Sequence, residues 1–437
     1  MEKAARRIVE KLRLNGHEAF FSGGWVRDHL LRRKARDIDI ATDAPPDKVR
    51  RIFPHAYAVG EQFGVVQVRM YGRTFEVATF RRDAAYQDGR HPTAVTFSGP
   101  EQDARRRDFT INGLFFDPVA ERLIDYVRGK SDIERRLIRT IGDARERFAE
   151  DKLRMLRAVR LACSLDFRIV PETMDAIRRS APDIRQVSWE RIRDELIKIL
   201  TAPAPARGLD LLRETGLLAA ILPEAQSLVG IAYVPGTAGG MDVFGHTKKA
   251  LVLLRKPSPA LALGTLLHDS GKSPAGTRDE TDSAALHALR GAKIGEEVCR
   301  RLKLSNRETR GIVALVAHHM DFARDGSMTD KALRRLFRRP DFAEHLELFR
   351  VNSLGAGRGL DAYSSYLKRT KEYALSPETP PLVTGDDLIE MGYAPGPGFS
   401  RVLREIEDLQ LDGVLRTRAE ALEHIGKTFP LKGKSEP

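Results

Sequence analysis

Cysteine is almost missing from this chain: 437 residues carry two, Cys163 and Cys299. They lie far apart in segments with helical patterning, so no disulfide framework is expected and the setting predicted is reducing and intracellular. No apolar run is long enough to cross a bilayer, which predicts no membrane partner. Met1-Glu2-Lys3 runs directly into a helical pattern, so no signal peptide is expected and a cytoplasmic location follows. Internal repeats and low-complexity tracts are lacking too, which excludes solenoids and arrays. Acidic residues are the minority charge: 61 against 73 Lys and Arg, a formal net charge of +12. The pI of about 9.7 suits a polyanionic partner.

What is present is ordinary globular material, 42% hydrophobic and 31% charged, enough for two to four domains. Up to about residue 135 short strands and helices alternate. Glu18–Ser22, Asp37–Ile40, Gly64–Val68 and Thr74–Thr79 read as strands, and Ala4–Leu14 and Val26–Arg33 as helices. Beyond 136 the strand signal nearly vanishes. Glu150–Leu165, Glu172–Arg179, Glu190–Leu200 and Gly208–Glu214 read as helices, with Pro203 and Pro205 marking a joint. Gly236–Gly240 breaks the pattern before a helical block from His246 to about 370. Pro377–Pro381 reads as a linker, Gly385 to about Ile425 as a helical tail, and Lys432–Pro437 as a frayed end. The expected class is α+β.

Gly23-Gly24-Trp25-Val26-Arg27-Asp28 places a glycine turn between a short apolar run and a helix. Such a turn can offer backbone N–H groups to phosphate oxygens. Asp37-Ile38-Asp39-Ile40 follows, and its alternation reads as a strand with one wet face. Residues i and i+2 of a strand point the same way, so Asp37 and Asp39 can grip the same divalent ions. Glu76, opposite in facing to Phe75 and Val77, is a third carboxylate for that cradle. Arg106-Arg107-Asp108-Phe109-Thr110-Ile111-Asn112 is dense in the donors that triphosphate and ribose need. These are parts of a magnesium-dependent site that transfers a nucleotidyl group.

Glu150-Asp151-Lys152-Leu153-Arg154 reads as helix, with Asp151 and Arg154 three apart on one face. An intrahelical ion pair is one reading. The other is a protein template for a base: aspartate accepts from the amino group of cytosine or adenine, and arginine donates to a ring nitrogen or carbonyl. Arg157 and Arg160 continue that face toward phosphates.

With these four ordered motifs the first 170 residues resemble a class II member of the tRNA nucleotidyltransferase and poly(A) polymerase family. The resemblance implies template-independent addition of nucleotides to RNA 3′ ends. It implies Asp37 and Asp39 as ligands of two Mg²⁺ ions, and Asp151 and Arg154 as the base-reading pair. Substrates would be CTP and ATP, and the partner the tRNA 3′ end. The alternative within the family is a poly(A) polymerase. Its bacterial branch resembles Gly-Arg-Arg-Phe-Arg where this chain has Gly60-Glu61-Gln62-Phe63-Gly64, so Gly64 points to the tRNA branch. The full-length stretch Arg81–Pro92 disfavours CC-only addition but leaves open CCA addition against A addition, as it leaves open a charged surface loop.

Leu266-Leu267-His268-Asp269-Ser270-Gly271-Lys272 resembles the core of the HD phosphohydrolase superfamily. Adjacent His and Asp can reach one metal, and His246, His287 and His318 or His319 are the further candidates. A second divalent ion in the body is therefore expected, or a remnant of its site. Asn352 stands where the superfamily carries aspartate, which weighs against phosphohydrolase activity and leaves an RNA-binding body as the preferred reading. Arg334, Arg335, Arg338 and Arg339, beside Leu336 and Phe337, read either as a solvated helix end or as an RNA-backbone contact that Arg401, Arg404, Arg416 and Arg418 extend. Phe20 and Phe63 read as core, and Trp25 as core or stacking platform. The parts expected are a nucleotidyltransferase head (1–135), an all-helical neck that selects the nucleotide (136–205), a helical body with the HD-like module (206–372) and a tail for tRNA binding (373–437).

Overall fold

The computed structural model describes residues 1–35, 37–58, 64–83, 95–233, 240–272, 284–322, 326–339, 341–375, 380–411 and 413–430. It divides into two compact units, Met1–Ala317 and His318–Pro437. The expected features at Val59–Phe63, Ala84–Pro92, Gly236–Gly239, Pro377–Glu378–Thr379 and Lys432–Pro437 lie outside the described residues.

The first unit opens with the helix Glu2–Leu14, which buries Ala4, Ala5, Ile8, Val9 and Leu12. That three-and-four spacing makes one apolar stripe against the sheet. The strands are β1 (Ala19–Ser22), β2 (Asp39–Thr42), β3 (Ala56–Ala58), β4 (Val65–Met70), β5 (Arg73–Thr79), β6 (Arg81–Asp83), β7 (Val95–Phe97), β8 (Leu114–Asp117) and β9 (Arg122–Asp125). Seven of them form one mixed sheet in the order β3-β4-β5-β2-β1-β8-β9, while β6 and β7 pair with each other. The parallel pairing of β2 with β5, Ile40 opposite Val77, sets Asp39, the first residue of β2, beside Glu76 in the middle of β5. The second short sheet, Leu137–Ile138 with Arg168–Ile169, gave no sequence signal, because two-residue strands are too short to show a period.

Beyond the sheet the unit is helical. One apolar cluster runs from Ala4 to Val316 without a break, and Trp25, 5% exposed, belongs to it. Trp25 packs edge-on against Phe21 and stacks on His29, so it is core. Phe20 is core as well, in a smaller cluster with Phe80 and Phe115. Cys163 and Cys299 are free and buried, and burial pushes their thiols up to about 11 and about 12.

Two departures from the sequence reading bear most on the site. The strand expected at Asp37–Ile40 begins at Asp39, so Asp37 precedes the ladder. The helix expected over Glu150–Leu165 is two helices, Ala144–Glu150 and Leu153–Leu165. Asp151, extended at φ −144° and ψ 104°, is the break.

The second unit carries helices Asp330–Phe337, Phe342–Gly355 and Asp361–Leu375 around Phe322, Leu333, Phe349 and Tyr366. A separate cluster, including Leu388, Val402, Ile406 and Ile425, holds the tail helices together. Asn352 is buried in the helix Phe342–Gly355. The arginines of the basic stretch are largely engaged within this unit. Arg334 lies over the Tyr373 ring, Arg335 pairs with Asp408, Arg338 with Glu407 and Arg339 with Asp321. An RNA phosphate there competes with carboxylates already in place.

Candidate active site

The three carboxylates expected to form the catalytic cradle are positioned by the sheet. β2 begins at Asp39 beside the middle of β5, and a cleft of about 400 Å³ opens there, lined by Asp37, Asp39, Gln67, Arg73, Thr74 and Glu76. Ile38, 2% exposed, anchors the segment between the two aspartates in the core. Burial, then the charges of Glu76 and Asp37, raise the Asp39 carboxyl from 3.8 to about 6, against the pull of Arg107. Two carboxylates held close enough to a third to disfavour its ionisation suit a cradle for cations. Their ligand atoms are spread more widely than those of the tight His/Asp groups elsewhere in the chain. A pair of ions needs that room.

Gly23 caps the helix Gly24–Leu30 at φ 67° and ψ −137°, a left-handed conformation that favours glycine. A side chain there would meet Asp39 Oδ2 at 3.4 Å and Arg107 Nη1 at 3.5 Å. The turn, the second aspartate and an arginine are thus brought to one place. A β-carbon on Gly24 would touch Arg27 at 3.5 Å.

The arginine motif is organised by a residue the sequence reading passed over. Asp103, 1% exposed, accepts from Arg106 Nη2 at 2.6 Å and Arg107 Nη2 at 2.9 Å. Its carboxyl lies below the usual range: burial would raise it, but the two guanidiniums outweigh that effect. The i, i+3 and i, i+4 spacings to Arg106 and Arg107 were the available signal. Arg107 also lies 5.0 Å over the Phe115 ring.

Asp108 and Asn112 join elements. Arg27 donates to Asn112 Oδ1 and to Asp28, both at 2.8 Å. Asn112 Nδ2 donates to Asp108 Oδ1 at 3.1 Å, and Arg157 reaches Asp108 Oδ2 with two nitrogens at 2.6 and 2.8 Å. Burial would raise Asp108, but Arg157, Asn112 and the Phe109 N–H hold it at about 2. Arg160 is likewise committed, to Glu195 at 2.6 Å, a carboxylate 4% exposed.

Asp151 and Arg154 are not an ion pair. Asp151 Oδ1 accepts from the Leu153 N–H, and its Oδ2 accepts from Arg191 Nη2 at 2.8 Å. Arg154, 8% exposed, donates to Glu150 at 2.6 Å and to the Arg147 carbonyl at 3.1 Å. Glu150 also pairs with Arg147. Each member of the expected base-reading pair is thus oriented by a different partner. Arg191, 40 residues from Asp151, had no local signal.

In the helical block, His246, His268 and Asp269 are buried together. His268 Nε2 is 3.3 Å from His246 Nε2 and 3.3 Å from Asp269 Oδ2, and His246 Nε2 is 4.0 Å from the same oxygen. His268 Nδ1 donates to the Thr265 carbonyl at 2.7 Å, which fixes the tautomer and leaves Nε2 for a metal. His287 faces the other oxygen of Asp269 at 3.8 Å.

A family model described as "Poly A polymerase head domain" matches residues 19–139, and one described as "Probable RNA and SrmB-binding site of polymerase A" matches residues 166–228. The chain is 34% identical over 417 residues to a CCA-adding enzyme of Geobacillus stearothermophilus, covering 95% of this chain and 94% of the relative. Among solved structures it resembles the Bacillus stearothermophilus CCA-adding enzyme in complex with CTP, with a TM-score of 0.69, 31% identity and 98% of each chain covered. The Thermotoga maritima CCA-adding enzyme in complex with tRNA shares the fold, with a TM-score of 0.59 at 21% identity over 97% of this chain and 94% of that one. No described helix is long and apolar enough to cross a membrane. On the full-length relative, the matching head and the four motifs in order, the chain belongs to the class II tRNA nucleotidyltransferase family.

Proposed function

We propose that this protein is a template-independent nucleotidyltransferase that adds CCA, or its terminal A, to tRNA 3′ ends from CTP and ATP, with release of pyrophosphate. The observation that carries the reading is the cleft at the start of β2, beside the middle of β5. Its three carboxylates and the neighbouring arginine turn are the parts nucleotidyl transfer needs.

Asp37 and Asp39 would hold two Mg²⁺ ions, with Glu76 assisting. Their mutual repulsion, seen in the raised Asp39, is what divalent cations relieve. Held by these carboxylates, Mg²⁺ would supply a lowered pKa for the 3′-hydroxyl and charge neutralisation for the pyrophosphate. Arg107, fixed by Asp103 and Phe115, donates to phosphate oxygens beside the Gly23 turn, and Arg106 supports it. Asp151 accepts from the amino group of the incoming base, and Arg154 donates to its ring. Uracil and guanine present the wrong donors and acceptors at those places. Arg27, Asp108, Asn112, Arg157 and Arg160 act by tying these parts together.

Single-nucleotide addition tests this. Three tRNA substrates, ending before CCA, after the first C and after CC, are offered CTP, ATP or both with Mg²⁺. CCA added to the shortest substrate supports the full activity. Addition of A confined to the CC-ended substrate makes this an A-adding enzyme. Long A tails on unrelated RNA would replace the reading with a poly(A) polymerase. Gly64 argues against that outcome: its φ is +78°, and a side chain there would meet Phe97 at 3.2 Å, which is poor ground for arginine.

We also propose a divalent transition-metal site at His246, His268 and Asp269. A point equidistant from the three ligand atoms lies about 2.1 Å from each, a normal bond length for such an ion. With Asn352 in the place of the superfamily's aspartate, we assign the block first to RNA binding and second to phosphoester hydrolysis. Phosphate release from an aryl phosphate by a chain lacking Asp37 and Asp39 would reverse that order. The four-part division at 135, 205 and 372, and a cytoplasmic location, complete the proposal. The family match at 19–139 supports the first part, while the match at 166–228 runs across the boundary at 205.

A further inference from the structure

The carboxylate of the His246–His268–Asp269 cluster already has a cation. Lys272 Nζ lies 2.7 Å from Asp269 Oδ2, the same oxygen that faces both imidazoles. The ammonium also sits 4.1 Å from the centre of the Tyr233 ring, and Tyr233 stacks on His246 at 3.9 Å. One aromatic ring thus contacts a histidine of the cluster and the lysine that pairs with its aspartate.

We propose that Lys272 is an internal cation that holds this metal site closed, so that a divalent ion enters only by displacing the lysine from Asp269. The inference rests on the reading of the cluster as a metal site. A buried carboxylate without a counter-charge is costly. Lys272 supplies the charge when metal is lacking, and Tyr233 helps hold it by cation–π attraction. An ion bonded to Asp269 Oδ2 would lie within about 5 Å of an unmoved ammonium, taking metal–oxygen bonds of ~2.1 Å. Two like charges at that range in a water-poor site oppose each other strongly. The two occupants therefore exclude one another.

The local backbone gives the lysine a fixed root and a free stem. A β-carbon on Gly271 would lie 2.0 Å from the His287 carbonyl oxygen and 2.5 Å from the Gly291 nitrogen. The turn bearing Lys272 is thus pressed onto the helix Ala284–Arg301 and cannot shift. The lysine side chain is 22% exposed while that of Asp269 is 3% exposed, so the stem can swing to water while the carboxylate stays.

The test is Co²⁺ titration of the full chain in excess Mg²⁺, which fills the head, followed by calorimetry and by the visible absorption of bound Co²⁺. Lys272→Met should bind Co²⁺ at least tenfold more tightly than the natural chain, and Lys272→Arg should restore weak binding. His268→Ala in the Lys272→Met background should abolish the tight binding and its absorption. Equal affinity in the natural chain and Lys272→Met, with the absorption still lost in His268→Ala, overturns the role of Lys272 but keeps the metal site. No Co²⁺ absorption in either chain, with both folded by circular dichroism, overturns the metal reading and this inference with it.

Discussion

Asp108 and Arg157, 49 positions apart, are joined through one carboxylate oxygen by two guanidinium nitrogens at 2.6 and 2.8 Å. The pair fastens the arginine motif itself to the helix Leu153–Leu165, which begins beside Asp151. Asp108→Asn should therefore destabilise the first unit by about 2 kcal/mol, because it leaves a guanidinium without its charge partner. The folded carboxyl is held at about 2, below its ordinary 3.8. Its stabilisation is full above about pH 4 and is lost as pH falls through 2. Urea midpoints of the two chains should differ at pH 7 and converge toward pH 2.

Asp39→Asn should separate stability from activity. Addition of CTP or ATP should fall by about a thousandfold or more, as loss of a metal ligand implies. Without Mg²⁺ the variant should melt higher than the natural chain at pH 8, because the folded chain must ionise a carboxyl raised to about 6. That cost applies above pH 6 and disappears below about 4. A variant that melts lower at pH 8 would contradict the crowding of Asp37, Asp39 and Glu76.

At low Mg²⁺ the rate of addition should drop as pH falls from 7 through 6. A proton on Asp39 then competes with the metal. Raising Mg²⁺ should move the midpoint of the pH profile downward, since ion and proton contend for the same carboxylate. A midpoint indifferent to Mg²⁺ would detach Asp39 from metal binding.

Arg191→Ala should loosen nucleotide choice more than rate. Arg191 holds the oxygen of Asp151 at 2.8 Å without belonging to the motif. Discrimination of CTP over UTP, taken as a ratio of kcat/KM, should fall about tenfold, the equivalent of one weakened hydrogen bond. Arg191→Lys should recover part of it. An unchanged ratio would remove Asp151 from base reading.

Gly64→Ala should cost about 1–2 kcal/mol, the usual penalty for a left-handed residue gaining a β-carbon. A thermal melt of the two chains measures it.

The sheet was legible because strands and glycine turns carry local signals. The alternation in Asp37-Ile38-Asp39 put both carboxylates on one face, and both line one cleft although the strand starts two residues late. The α+β class and the position of Glu76 beside Asp39 follow from the same periodicities. What was not legible depends on distance along the chain. Nothing near Asp151 announces Arg191, and nothing near Asp108 announces Arg157. The helical pattern across Glu150–Leu165 hid the interruption, because apolar spacing continues through Asp151 while the backbone does not. The partners of the basic run near 335 were not legible for a related reason: Asp321, Glu407 and Asp408, which engage three of its arginines, lie outside its helix.

The interruption at Asp151 has one more effect. A residue inside a helix inherits its side-chain direction from the turns around it. Asp151 has no such inheritance and takes its bearing from a helix 40 residues away. Under the base-reading proposal, the accuracy with which every tRNA end is written depends on a tether outside the pocket. Spelling errors would then arise from changes that leave each recognised motif intact.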